Sequence, residues 1–253
     1  MRTYLLEEMT WPEIKEALAE GYRTVIIVAA SIEQHGPQLA ELTDTAIGQA
    51  YAIDLAKRLG KALVAPVIRP GLSKHHLALP GSLSLRPEIF AGVVEDYVSC
   101  YVKHGFENIV LFSSHGGNVK ALETIAENLR GKYPEVKIVT GISLQALGEL
   151  QRRLEKMENV PAGACGGHAC DFETSVMLAL HPEHVRMDKA QPGYVGTPSP
   201  ELLERFFTEG VTAISPIGVM GDPSRADAER GRRYFQQRQE LLAKTVMEKL
   251  AEK

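Results

Sequence analysis

Apolar strand-like runs alternate with helical segments along the first 140 residues, and chemically loaded residues begin where those runs stop. These two features predict an α/β protein with a mostly parallel sheet covered on both faces by helices. The first helix is announced by Thr10-Trp11-Pro12-Glu13, where Thr10 caps and Glu13 reaches back as its capping-box partner. Residues 23–30, with the run Val25-Ile26-Ile27-Val28-Ala29-Ala30, read as the first buried strand. A helix follows from about Thr45 to Leu59, with Ala46, Ile47, Ala50, Ile53, Leu55 and Leu59 on its apolar surface. Ala62 to Val67 reads as the second strand, and Pro87 to Val102 as a helix facing inward through Ile89, Val93, Val94 and Tyr97. Asn108 to Phe112 is the third strand, followed by a helix ending near Leu129, and Val136 to Thr140 is the fourth.

The second half is less regular. Phe172 to Leu180 reads as a helix. Pro182 to Pro216 is rich in Pro, Gly, Ser and Thr, which predicts long loops with one short helix near Pro200 to Phe207. Alternating charges over Arg225 to Lys253 predict long exposed helices, with an interruption allowed, whose inward face carries Tyr234, Leu241, Leu242 and Val246. No repeat, low-complexity tract or linker divides the 253 residues, so one domain spanning 1–253 is expected.

Composition excludes several classes of function. Apolar residues make up 44% and charged residues 24%, enough for a sizeable core. A net charge of −4 and a pI near 6.1 argue against nucleic-acid and anionic-membrane partners. No run approaches the roughly 20 apolar residues of a membrane span. The N-terminus turns acidic at Glu7-Glu8, too soon for a secretory signal, and Cys100, Cys165 and Cys170 form no disulfide framework. A soluble cytoplasmic protein is the expectation.

Three clusters carry the chemistry. Glu33 and His35, two apart in an extended segment just past the first strand, share one side. Asp44 follows near a helix start, where an N-cap role is its plain alternative. His115 follows the third strand directly, inside Ser114-His115-Gly116-Gly117-Asn118. Small neighbours open this histidine to a cavity, and the glycines let backbone approach a ligand closely. Ser114, Gly116, Gly117 and Asn118 are the candidate substrate contacts. In the third cluster His168 lies in a glycine-flanked turn, and Glu173 opens an otherwise apolar helix, a costly place for a carboxylate without a partner. Helix-dipole complementation accounts better for Asp171 than for Glu173. Cys165, His168 and Cys170 imitate a zinc–thiolate site, but no second cysteine pair completes it. Acids and imidazoles beyond strand ends suit two divalent ions sharing one bridging acid, zinc or manganese first and iron after them. A lapsed binding protein and a nucleotide-binding module are the rival readings, and the second lacks a glycine-rich phosphate loop.

With these residues in place the chain resembles the creatininase (creatinine amidohydrolase) superfamily along nearly its whole length. The resemblance rests on Thr10-Trp11-Pro12-Glu13, Ser31 through Pro37 with Thr43-Asp44-Thr45, and Pro80-Gly81-Ser82-Leu83-Ser84-Leu85. It continues through His115-Gly116-Gly117-Asn118, His168 to Ser175, and Gly218 to Pro223. It implies a three-layer α/β/α sandwich, a closed homo-oligomer (often a hexamer built from dimers) and hydrolysis of a C–N bond in a small cyclic amide or formamide. Relatives that hydrolyse a cyclic keto-inositol or a peptide-derived cofactor supply the alternatives. Two divalent ions per subunit are implied, zinc first. Glu33 and His115 would hold one ion, His35 and Glu173 the other, and Asp44 would bridge them. His168 would move the proton, and Gly221-Asp222-Pro223 would shape the pocket or the subunit interface. Three departures stand out: Ser113-Ser114 where Asn-Gly is frequent, His75 where Glu is common, and Cys170-Asp171 where Gly-Glu is usual. Creatininase closes over creatinine with tryptophans, and Trp11, in the first helix, is the one tryptophan of this chain, which argues against creatinine. Arg69, Lys74, His75 and His76 would suit an anionic or polyol substrate, with a solvated loop as their alternative.

Overall fold

The computed structural model describes residues 2–196 and 199–252. Parts of the expected loop stretch (197 and 198) and the chain ends, residues 1 and 253, lie outside them. Four parallel strands, β1 (Thr24–Ala29), β2 (Ala62–Val64), β3 (Asn108–Ser113) and β4 (Lys137–Thr140), form one sheet in the order β2-β1-β3-β4. Among the described residues eight α-helices accompany them: α1 (Trp11–Ala19), α2 (Thr43–Leu59), α3 (Pro87–Lys103), α4 (Gly116–Lys132), α5 (Leu144–Met157), α6 (Asp171–Leu180), α7 (Pro200–Glu209) and α8 (Ala228–Ala251). Alternate strand residues feed two separate apolar cores. Ile26, Val28, Val64 and Val110 pack against α2, α5, α6 and α8, while Val25, Ile27, Leu63 and Ile109 pack against α1, α3 and α4. This is the three-layer α/β/α sandwich.

The strand order fixes where a site can form. From β1 the chain steps one way to β2 and later the other way to β3, so β1 and β3 are neighbours whose connections leave in opposite directions. Crevices at such switch points are where open α/β sheets bind ligands. Ala29 pairs with Ser113 at the last register of β1 and β3. The segments Ser31–His35 and Ser114–His115 therefore start side by side.

Local chemistry explains the elements. The Thr10 backbone N–H donates to Glu13 Oε2 at 2.6 Å, the reach-back half of the expected capping box. β2 ends at Val64, three residues earlier than expected, with Pro66 just beyond it. α5, not among the elements expected from sequence, is capped by the Ser143 hydroxyl and buries Leu150, Leu154 and Glu155, its apolar face carrying Leu147, Leu150 and Leu154 at helical spacing. α8 runs without interruption, burying Tyr234, Leu242 and Val246, with Leu241 only partly covered.

One ion pair locks α8 to α6. Asp171, 1% exposed, accepts from Arg230 Nη2 at 2.7 Å and Nε at 3.1 Å, and from the Tyr234 hydroxyl at 2.9 Å. Its role is this bidentate pairing, more than complementing the helix dipole. Arg230→Met should strand the Asp171 charge and lower stability by about 3–5 kcal/mol, read as a reduced urea midpoint. An unchanged midpoint would show that the pair is not what joins the two helices.

Candidate metal centre

β1 and β3 deliver their loops to one point, and α2 and α6 bring their first turns to it. Glu33, His35, Asp44, His115, His168 and Glu173 are all buried there, between 0% and 8% exposed. Asp44 is the second residue of α2, with Leu42 at the N-cap, so capping is not its role. Its two oxygens face different partners. Oδ2 lies 3.4 Å from His115 Nδ1, which is itself 3.1 Å from Glu33 Oε1. Oδ1 lies 3.7 Å from His35 Nε2, which is 3.9 Å from Glu173 Oε2. Tetrahedral ligands 2.0–2.2 Å from an ion stand roughly 3.3–3.6 Å apart, close to this spacing on both sides of Asp44.

The backbone sets which nitrogen of each imidazole is free. His35 Nδ1–H donates to the Glu33 carbonyl at 3.0 Å, leaving the Nε2 lone pair toward the acids. His115 Nε2–H donates to the Leu72 carbonyl at 3.2 Å, leaving Nδ1 toward Glu33 and Asp44. His168 Nε2–H donates to the Gln34 carbonyl at 2.8 Å, leaving Nδ1 at 3.6 Å from Glu33 Oε1. Orientation of ligand imidazoles by carbonyls is the usual outer shell of metal sites. Glu33 Oε1, His35 Nε2 and Asp44 Oδ2 are buried without a hydrogen-bond partner, in positions a cation would satisfy. Glu33, His35 and Asp44 form one group with metal-ligand spacing, and His35, His168 and Glu173 another.

Electrostatics tell the same story. Burial alone would lower the His35 imidazole, yet Asp44, then Glu173 and Glu33, outweigh it and raise it to about 10. His115 is raised well above its ordinary value in the same way, by Glu33 and Asp44 against burial. Burial pushes Glu173 upward despite His35. Burial and the neighbouring His35 push His168 down to about 3, which keeps it neutral.

The flanking motifs are supports. Asn118 is fully buried, its Oδ1 accepting from Leu72 N–H at 2.8 Å and its Nδ2 donating to the Ala30 carbonyl at 2.9 Å. It therefore corrects to a strut between β1 and the Leu72 loop. Ser114 turns its hydroxyl toward Gly48 of α2, where an added Cβ would meet Oγ at 2.6 Å. Gly116 is exposed, and Gly117 leaves room for His115, since a Cβ there would meet its ring and the Leu72 carbonyl. Ser82 Oγ accepts from Gln34 N–H at 2.9 Å, giving the Pro80–Leu85 motif its task. Met220 bridges His168 on both backbone sides, and Asp222 caps its own turn at Ser224. Ala169 takes a left-handed φ of 51°, held by its N–H donating to Glu173 Oε2 at 2.5 Å. Cys165 packs near Tyr234, burial pushing its thiol up to about 12, and among the described residues no cysteine belongs to a group with metal-ligand spacing.

The surface-loop alternative for His75 and His76 is overturned: they are 7% and 1% exposed, while Arg69 and Lys74 are exposed. His76 Nε2 lies 3.4 Å from Glu33 Oε1, and His75 stacks beside His115 under Phe206 and Phe207 of α7. Reading by residue type misses Gln34 and also Ser31, whose hydroxyl donates to Glu33 Oε2 at 2.8 Å. Closeness in sequence to Glu33 is the available signal for both.

Sheet and cluster together define a three-layer α/β/α protein with buried acids and imidazoles at the switch point of its sheet. The chain belongs to the creatinine amidohydrolase (creatininase) family, whose model matches residues 7–246. It is 34% identical over 231 residues to a mycofactocin precursor peptide peptidase of Mycobacterium ulcerans, covering 86% of this chain and 82% of that protein. It is 25% identical over 242 residues to the creatinine amidohydrolase of Pseudomonas putida, covering 91% of each. A solved point mutant of creatininase, of the Zn-Zn type, superposes with a TM-score of 0.81 at 23% identity over 100% of both chains. A manganese creatininase gives the same score and identity over 99% of this chain and 100% of its own.

The His35 shift sets a pH dependence for chelator-treated protein. Its folded value lies above the ordinary 6.5, so its stabilising contribution is complete below about pH 6.5 and is lost as pH rises through about 10. The urea midpoint should fall across that window, and zinc addition near pH 8 should release protons in calorimetry with paired buffers. A midpoint flat from about pH 6.5 to about pH 10 would contradict the assignment.

Proposed function

We propose that this hydrolase uses two divalent ions to cleave an amide C–N bond. The observation that carries this is the Asp44 carboxylate, with one oxygen facing Glu33 and His115 and the other facing His35 and Glu173. Those five residues would hold the ions, with Asp44 shared. When bound, such ions supply Lewis acidity that activates a water and polarises an acyl oxygen. Zinc and manganese both suit the mixed oxygen and nitrogen set, and the superposable creatininases include a form of each.

His168 is the residue we assign to proton transfer. Its Nδ1 is unprotonated and faces the centre, so it accepts a proton there and returns it to the departing nitrogen. The substrate reading is a small-molecule or peptide-derived amide. A 34% match to a peptide peptidase, against 25% to a creatinine amidohydrolase, ranks a peptide amide ahead of a cyclic one. Trp11 is 74% exposed on α1, so no tryptophan stands ready to close over creatinine. Metal-loaded protein should release amine from short peptides in preference to cyclic amides or formamides, and chelation should stop it. Hydrolysis indifferent to chelation would sink the reading.

Variants separate the roles. Asp44→Ala should lose both ions together, Glu173→Gln mainly one. His168→Gln should keep both while turnover falls by on the order of 10²–10⁴. Elemental analysis decides: full occupancy in Asp44→Ala excludes bridging, and an ion missing from His168→Gln makes His168 a ligand.

We also propose a closed homo-oligomer. Leu203 and Phe207 of α7 are 49% and 52% exposed, and Met157 at the end of α5 is 58% exposed, apolar surface that a subunit contact would cover. Sedimentation at micromolar concentration should give a multiple of the 27.8 kDa chain mass. A single-chain mass would contradict it.

A further inference from the structure

His76 is buried at the centre, yet none of the ligand roles above uses it. Its protonation pattern is fixed by one neighbour. Gln34 Oε1 accepts from the Gly36 N–H at 3.0 Å, which orients the amide. Gln34 Nε2 then donates to His76 Nδ1 at 2.7 Å and to the Gly218 carbonyl at 3.3 Å, and stands 2.9 Å from His168 Nε2. Turning the amide over would set its NH₂ against the Gly36 N–H, donor against donor. Gly218 is where this contact needs a glycine: its φ is 75°, and a Cβ there would run into the Gln34 amide. With Nδ1 accepting, the neutral imidazole carries its hydrogen on Nε2. A nitrogen bearing that hydrogen is a donor and not a metal ligand, although Glu33, His76 and His168 have ligand spacing.

The Nε2–H has no protein acceptor in hydrogen-bond geometry among the described residues. Glu33 Oε1 at 3.4 Å is the nearest acid, and that oxygen is itself without a hydrogen-bond partner. A buried donor facing the acids, its other nitrogen clamped, matches a group placed to meet negative charge that arises during reaction.

We propose that His76 is a catalytic hydrogen-bond donor, its Nε2–H binding the amide carbonyl oxygen as charge develops on it. This rests on the amide-hydrolase reading above. The donor gives a hydrogen bond and transfers no proton, so His168 remains the group that moves it. The two rings lie tilted against each other at 4.2 Å, with the Gln34 side-chain nitrogen 2.7 Å from His76 Nδ1 and 2.9 Å from His168 Nε2, and only His168 also reaches the Gln34 carbonyl, at 2.8 Å.

The test uses the full-length metal-loaded protein and two variants. His76→Met removes the donor while filling the space, and His76→Gln returns an N–H near the Nε2 position. Three quantities are read: metal content, kcat and KM on a short peptide amide, and affinity for acetohydroxamate, a small probe with a carbonyl oxygen. Metal content should match the native chain in both variants. In His76→Met, kcat should fall by about 10²–10³ with KM little changed, and acetohydroxamate should bind about tenfold more weakly. His76→Gln should recover part of both losses. Loss of an ion in His76→Met would make His76 a ligand and overturn the proposal, as would native kcat and probe affinity in that variant, or a Gln variant no better than Met. Native-like His76→Met with active native protein refutes the His76 role alone. Native protein that hydrolyses no amide, with the probe following the expected order, refutes the hydrolase reading and leaves the donor in place.

Discussion

Three carboxylates, Glu33, Asp44 and Glu173, are buried together with no lysine or arginine bonded to any of them among the described residues. Burying one carboxylate costs several kcal/mol unless opposite charge accompanies it. Here the opposite charge on the chain itself is imidazolium, which demands protons on His35 and His115 that free histidine would have shed. Such a cluster is stable only in a fold able to hold the acids against their own repulsion. Asp171 supplies the contrast two residues before Glu173: equally buried, it is answered by Arg230 and Tyr234 and has no unmet demand. A carboxylate with its arginine is structure, and a carboxylate facing only imidazoles is a place for a cation.

The sheet supplies the holding force. β1 and β3 are central, with every residue beyond the first buried, and both end at the switch point. Rigid strands thus fix the starting points of two short loops, and polar struts fix the rest. Ser113 Oγ donates to the Ala29 carbonyl at 2.6 Å, Asn118 ties Ala30 to Leu72, and Ser31 and Ser73 hydroxyls meet at 2.6 Å beside Glu33. Each buried polar group that is satisfied in this way limits how far the unsatisfied ones can drift.

The sheet is legible in the sequence because its strands are continuous apolar runs of the kind a doubly covered parallel sheet requires. α5 is legible by the helical rule as well, since Leu147, Leu150 and Leu154 recur at helical spacing, although it is absent from the elements expected above. The buried cluster of acids and histidines is legible for a different reason: acids and histidines directly past buried strands violate the apolar pattern, and the violation marks them. The sequence already sets Asp171 apart from Glu173 as the better helix-dipole acid, but its real partner, Arg230, lies 59 positions later, where no local pattern points to it. His75 stands out in the sequence as a family departure, but its burial and that of His76 depend on α7 and the Leu72 loop closing over them, which no local pattern encodes.

Gln34 shows why the remainder of the centre escapes a reading by residue type. An uncharged amide between Glu33 and His35 carries no signal of its own, yet its side chain sets the tautomer of His76 and its carbonyl sets that of His168. The Glu33 carbonyl does the same for His35. One tripeptide therefore provides two of the side chains proposed to hold the ions and three orienting groups for the surrounding rings. Replacing Gln34 by a residue of equal size but without the amide leaves every acid and histidine present and removes the reason His76 and His168 differ. The chemistry of the centre thus resides in hydrogen-bond direction as much as in ligand identity, and direction is a property of the folded backbone.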